Sequence, residues 1–357
     1  MKFLSSQNTK KRIVYNIFGI KISCKKKKKR FSSRIVNKIL HESKVPLTCN
    51  SSFVRFKEFP IKAEDYKLKS SHTEPVSIGI VIQGPIIKEN DFTLETCKIY
   101  KKIFNNDEKI ILSTWNNEDD DYLEKFRNLD VIVVTSEVPE CYGHGNVNCQ
   151  IKSTLVGCEK AKEIGSKYIL KTRTDQRFYA RDISQYLLNL LKMFPLRVDA
   201  GLKERLVALT FNTFKYRRYG ISDMFLFGNT DDVIKYWSVP ERGMDIEVDR
   251  ASISKVEYIL KYCPETYIVK NFLKNIGIIP DDTLKQSLEI YRDLFCFIDK
   301  EQLDFYWPKY SNEDKRWNFY YENCLEEFHF KDWLNLYSGT LDIENYCEKS
   351  FDLVPEI

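Results

Sequence analysis

The stretch Lys171-Thr172-Arg173-Thr174-Asp175-Gln176-Arg177 crowds three cations around one carboxylate, directly behind the apolar run Tyr168-Ile169-Leu170. Such a set suits chemistry in which a phosphate or diphosphate departs. Negative charge then builds on the leaving group and must be met by guanidinium or ammonium groups, or by a divalent metal held by carboxylates. Asp175 is the candidate for the donor or metal role. Lys171, Arg173, Thr174 and Arg177 are candidates for contact with an anionic donor. The competing reading is an aspartate that caps a turn or pairs with a neighbouring arginine at the surface.

Other residues extend the candidate site. Gln83-Gly84-Pro85 ends a short apolar run, and there Gly84 permits close approach to backbone while Gln83 offers an amide, as a base and ribose require. Glycine and proline also end many strands that bind nothing. Two carboxylates are candidates for removing a proton from an acceptor hydroxyl: Glu265, behind Pro264 at the start of a predicted helix, and Asp223, just before an apolar run. For each, a plainer role is available, since Glu is favoured in a first helical turn and Asp in turns. His329 is a candidate metal ligand, against the plainer reading of a histidine packed among aromatics. The loop residues His144 and Asn146 are weaker candidates for ligand contact. Neither GxGxxG nor GxxxxGK[ST] is present, which argues against a dinucleotide-dependent oxidoreductase and a P-loop NTPase.

The elements that must position these residues alternate. Ser77–Ile82 reads as a buried strand, followed by a helix with Asp91 as its cap and Leu94, Cys97, Tyr100 and Phe104 on one face. Strands at Lys109–Thr114 and Val131–Val134 flank a short helix at 121–128. A helix capped by Asn148 carries Ile151, Leu155, Cys158 and Ile164 on one side and stops at Gly165. Tyr168–Leu170 is the next strand, then a helix from about Asp182 to Met193, strands at Val207–Thr210 and Met224–Phe227, and helices near 231–237 and 265–276. Strand-helix alternation predicts an α/β fold with a mostly parallel sheet, whose ligands collect beyond the carboxyl ends of the strands.

IVIQGPI from Ile80 to Ile86, CKIYKK from Cys97, ILSTWNNED from Ile111 to Asp119 and YILKTRTDQR from Tyr168 to Arg177 together resemble the WavE lipopolysaccharide synthesis family. The resemblance runs from Ser77 to Phe227 and more loosely to Ile276. It implies a GT-A-like (Rossmann-like) glycosyltransferase that uses a nucleotide sugar and a glycan or lipid-linked acceptor, such as lipopolysaccharide core. It also implies that Arg173-Thr174-Asp175 stands where GT-A enzymes carry DxD. The first carboxylate of that motif is absent, so a divalent metal, Mn or Mg, is held with fewer protein ligands or is partly replaced by Arg173.

Composition sets the frame. With 357 residues, 43% hydrophobic and 14% aromatic, the chain can bury a large core. No apolar run reaches the roughly 18–20 residues of a membrane span, the start lacks a signal-peptide core, and the ten cysteines form no CxxC pair. These features place the chain in the cytoplasm. Residues 1–74 form a basic extension in which Ile13–Ile22 lies beside the Lys25–Arg30 cation block, an arrangement suited to peripheral contact with the inner membrane. A solvated basic tail is the alternative. No basic stripe elsewhere implies nucleic acid. Residues 75–278 are expected to form the catalytic domain, and the aromatic-rich 279–357 a helical region packed on it. A noncatalytic lipid- or polyanion-binding scaffold and a nucleotidyltransferase are the alternatives. The latter lacks the Gly/Lys-rich loop after its first strand.

Overall fold

The computed structural model describes residues 59–66, 77–104, 108–243, 253–308 and 326–348, and the backbone of 4–8, 12–17 and 20–25. The chain divides into two units, Met1–Phe59 and Pro60–Ile357.

The first unit contains an antiparallel meander of β1 (Leu4–Asn8), β2 (Arg12–Ile17) and β3 (Ile20–Lys25). Ile17 pairs with Ile20, so only Phe18 and Gly19 intervene between β2 and β3, the spacing of a two-residue hairpin. The β-branched and aromatic residues of Arg12–Ile17 favour this extended state. Of the proposed membrane-contacting segment, the cations Lys26–Arg30 lie outside the described residues.

The second unit is built on a seven-stranded sheet. Its strands are β4 (Ile78–Gln83), β5 (Lys109–Trp115), β6 (Ile132–Ser136), β7 (Tyr168–Arg173), β9 (Leu206–Leu209), β10 (Leu226–Asn229) and β11 (Phe295–Ile298), ordered β11-β9-β10-β7-β4-β5-β6. Six strands share one direction and β10 alone runs against them. A separate ribbon pairs β8 (Arg177–Phe178) with β12 (Phe305–Tyr306). The helices are α1 (Phe92–Ile103), α2 (Asp120–Arg127), α3 (Val147–Glu163), α4 (Ile183–Met193), α5 (Thr230–Trp237), α6 (Lys255–Tyr262), α7 (Pro264–Asn275), α8 (Leu284–Leu294), α9 (Phe330–Ser338) and α10 (Ile343–Glu348).

β4 is buried along its whole length, as a central strand covered on both faces must be. Gly79 and Val81 face α3, which approaches so closely that a Cβ on Gly157 would lie 2.4 Å from Val81 Cγ1. Ile78, Ile80 and Ile82 face the other way and are equally buried.

Two caps differ from the sequence expectation. Asp91 precedes α1 in a left-handed conformation, and its carboxylate accepts from the Tyr122 hydroxyl at 2.9 Å instead of capping. Helix α3 starts at Val147 behind Asn146, while the Asn148 side chain ties the loop carbonyls of Cys141 and Arg242. The C-terminal segment also contributes more than helices. Its β11, Phe-Cys-Phe-Ile, completes the sheet beside β9 and is wholly buried.

Candidate active site

The sheet order fixes where a site can form. From β4 the chain steps outward to β5 and β6, then crosses back to place β7 on the other side of β4. The β4/β7 boundary is thus a topological switch point, where diverging connections leave a crevice beyond the strand ends. Gln83 and Gly84 leave β4 there, and Arg173, Thr174 and Asp175 leave β7 there. Because β10 is antiparallel, its entrance opens at the same edge, which brings Asp223 to the crevice.

The crevice is a cleft of about 840 Å³. Gln83, Gly84, Pro85, Arg173, Thr174, Asp175, Asp223 and Glu265, all singled out in the sequence, line it together. Backbone geometry seals the switch point, with the Thr174 amide donating to Gln83 O at 3.0 Å and the Gly84 amide to Ser113 O at 3.0 Å. Gly84 has φ +120°, and a Cβ there would sit 2.9 Å from Thr174 Oγ1. The Gln83 carboxamide turns toward α3, its Oε1 accepting from Ser153 Oγ at 2.7 Å.

Arg173 is clamped between two acids. Its Nε and Nη2 donate to the two oxygens of Asp175 at 3.0 and 2.9 Å, and its Nη1 donates to Asp223 Oδ2 at 3.1 Å. Burial alone would depress the guanidinium pKa, but the carboxylates of Asp223 and Asp175 more than offset this and hold it raised. Bidentate pairing of this kind fixes direction as well as charge. Asp175 Oδ2 also accepts from Trp307 Nε1 at 3.2 Å.

Glu265 lies in the first turn of α7, one residue after Pro264 opens it, close to the start expected from the sequence. One oxygen accepts from Asn212 Nδ2 at 2.9 Å and lies 3.8 Å from Arg217, while the other accepts from the Cys263 thiol at 3.1 Å. Arg217 also donates to the Asn212 carbonyl. Three carboxylates, Asp175, Asp223 and Glu265, therefore stand beside two guanidinium groups, Arg173 and Arg217.

Three sequence candidates fall elsewhere. Lys171 is fully buried in mid-β7, beneath the cleft; its ammonium donates to the Asp223 carbonyl and lies 4.7 Å from the Trp237 ring centroid. Burial lowers its pKa to about 8. It supports Asp223 and is not a lining residue. Arg177 is also buried and points away, its guanidinium donating to Thr96 Oγ1, Ile61 O and Phe92 O and stacking 4.1 Å from the Phe92 centroid. It is a structural tie. His329 precedes α9 and pairs through Nδ1 with Asp299 Oδ1 at 3.2 Å, not with Asp175. Of the two loop candidates, Asn146 lines the cleft, and His144 Nε2 lies 3.0 Å from the Tyr258 hydroxyl.

The structure adds Trp115, Asn117, Asn212 and Trp307 to the lining. Trp115 and Asn117 leave the end of β5 and follow the same strand-end rule that pointed to Asp175. Trp307 gave no such signal, because only the β8/β12 ribbon brings it to the site.

Among the described residues no three His, Cys, Asp or Glu side chains converge as metal ligands. The two oxygens of Asp175 already accept three N–H groups from Arg173 and Trp307. As arranged, these donors do not fit a resident metal.

The sheet carries its cleft at the switch point, where open α/β sheets bind ligands. The profile of the WavE lipopolysaccharide synthesis family matches residues 78–276, more than half of the chain. The chain belongs to that family. No curated protein matches the sequence. Among solved structures, S. aureus TarS aligns at 12% identity and TM-score 0.34 over 60% of this chain and 39% of its own. The glycosyltransferase GlyE of Streptococcus pneumoniae TIGR4 aligns at 10% identity and TM-score 0.35 over 80% of this chain and 65% of its own. A Bacillus anthracis chain described as a glucose-1-phosphate thymidylyltransferase aligns at 11% identity and TM-score 0.32, over 62% and 86%. The chain thus spans less than two thirds of TarS and of GlyE, and likenesses this distant carry no functional argument.

Proposed function

We propose that this protein transfers a sugar from a nucleotide-sugar donor to a lipopolysaccharide-core or related cell-surface glycan acceptor. The observation that carries the reading is the convergence of Gln83–Pro85, Arg173–Asp175, Asp223 and Glu265 on one cleft. A noncatalytic scaffold has no need of that convergence.

In this reading the nucleoside lies over the ends of β4 and β5, against Gly84, Pro85 and Trp115. The diphosphate then reaches the β7 end, where Arg173 is the cation that meets it. The acceptor hydroxyl oxygen forms a bond to the anomeric carbon as the bond from that carbon to the diphosphate oxygen breaks. The electron pair leaves with the diphosphate. Asp223 accepts directly from Arg173 at 3.1 Å while Glu265 lies 3.8 Å from Arg217, so Glu265 is the less tightly paired carboxylate and the one assigned to take the acceptor proton. Asp175 holds the plane of the guanidinium. The basic, apolar N-terminal segment would keep the enzyme near a lipid-linked acceptor at the cytoplasmic face of the inner membrane.

The test is binding and turnover of UDP-, GDP-, CMP- and dTDP-sugars by the purified protein, with Mn²⁺, Mg²⁺ or chelator. Selective use of one donor, lost in Asp175→Ala, is the expected result. A folded protein that binds none of them refutes the reading.

A further inference from the structure

We infer that Trp307 forms the wall against which the transferred sugar packs, while its N–H keeps Asp175 in place. This rests on the proposed donor site. Trp307 enters the cleft from a distant part of the chain. In the β8/β12 ribbon Phe305 pairs with Phe178 and Tyr306 with Arg177, so the next residue, Trp307, falls beside Gln176 and Asp175. Its Nε1 donates to Asp175 Oδ2 at 3.2 Å. The ring is backed by Phe211 in edge-on contact, centroids 5.8 Å apart at 85°, and Phe211 rests in turn on Phe305 at 5.5 Å. Trp307 is only 8% exposed, and it and Pro308 both line the cleft.

Position along the sheet edge selects the part of the donor it meets. Trp115 leaves β5, on the nucleoside side of the switch point. Trp307 lies between Asp175, beyond β7, and Phe211, beyond β9, with adjacent strands about 4.8 Å apart. A donor whose base lies over β4 and β5 and whose diphosphate meets Arg173 must continue toward Asp223, Asn212 and Trp307. Only its sugar remains to occupy that end. An indole suits this place, because its face packs on the apolar C–H face of a pyranose while its N–H serves a carboxylate. Trp307 also lies past residue 276, where the family match ends. The sugar wall is therefore supplied from outside the stretch that the family profile covers.

The test compares each free nucleoside diphosphate with its sugar, using UDP and UDP-glucose, GDP and GDP-mannose, dTDP and dTDP-glucose. Calorimetry would be run on wild type, Trp307→Phe and Trp307→Leu. Trp307→Leu should weaken the preferred nucleotide sugar about ten-fold, the scale of one aromatic contact, and leave its free diphosphate within about two-fold. Trp307→Phe keeps a ring face and should fall between the two. Should the leucine variant not fold, indole fluorescence decides. The sugar-bearing ligand should change wild-type emission more than its free diphosphate does, and Trp307→Phe should abolish that difference. Equal losses for both ligands, or no loss for either, would mean a packing role and overturn the inference while leaving the donor site standing. No nucleotide binding by wild type would remove the donor site and this inference with it.

Discussion

Gly84→Ala is the sharpest probe of the switch point. The new Cβ must adopt φ +120° and would meet Thr174 Oγ1 at 2.9 Å, inside contact distance. The backbone strain alone costs about 1–3 kcal/mol. Thr174 cannot yield freely, because its amide is held by Gln83 O at 3.0 Å and its carbonyl accepts from Thr93 Oγ1 at 3.1 Å. A shift there moves Arg173 and Asp175 on either side, so donor affinity should fall roughly ten-fold, in keeping with the cost of sub-ångström misplacement. Thermal unfolding should drop by about 2 °C for each kcal/mol. Adding Thr174→Ala removes the hydroxyl and should restore part of the binding but little of the stability, since the positive φ persists. A double-mutant cycle in Tm and donor Kd separates the two contributions. A Gly84→Ala protein with wild-type Tm and wild-type Kd would refute the reasoning.

Other expectations follow from the same geometry. Glu265→Gln should lower kcat by roughly 10²–10⁴ with donor Kd unchanged, as expected of a proton acceptor that does not touch the nucleotide; an equal loss in Kd would contradict that role. Arg173→Lys replaces a planar fork by a point charge and removes the guanidinium hydrogen bonds to Asp175 and Asp223, so both stability and donor binding should fall, by about 1–3 kcal/mol in the former; unchanged denaturation midpoints would count against the clamp. His329 has a pKa raised by its hydrogen bond to Asp299, with Glu327 and Asp332 adding to the effect. Its folded pKa exceeds its unfolded one, so its stabilisation is complete below about pH 6.5 and is lost as pH rises through the folded value. The Tm deficit of His329→Gln should therefore be larger at pH 6 than at pH 8, and an equal deficit at both would exclude the charge effect.

The parallel core was legible because its strands are short β-branched runs and its helices carry periodic apolar faces; the strands expected at Ser77–Ile82 and Tyr168–Leu170 stand at Ile78–Gln83 and Tyr168–Arg173, the second running three residues further than its apolar run. The strand-end rule also reached Gln83 and Asp175, polar residues that follow apolar runs, whereas Asp223 stood out only as a carboxylate ahead of one. It failed for Lys171 and Arg177, since a cation's place in a motif does not reveal which way its side chain leaves the strand. Arg177 begins a new strand and turns toward Phe92, and Lys171 points below the cleft. The antiparallel sense of β10 was equally hidden, although it is what brings Asp223 to the site. Trp307 and β11 depend on pairings across more than eighty residues, which local periodicity does not encode.

The Arg177 tie bears on modularity. Its guanidinium takes acceptors from Ile61 and Phe92, and Tyr179 beside it donates to Pro60 O at 3.0 Å. At the opposite edge, β9 is covered by β11, beyond residue 290. The stretch matched by the family profile, 78–276, thus draws contacts that complete its core from residues outside it. Excised at those limits it would lose an acceptor of a buried charge at one end and an edge strand at the other. A graft onto another protein would therefore have to carry Pro60–Ile298 at least, wider than the family match on both sides.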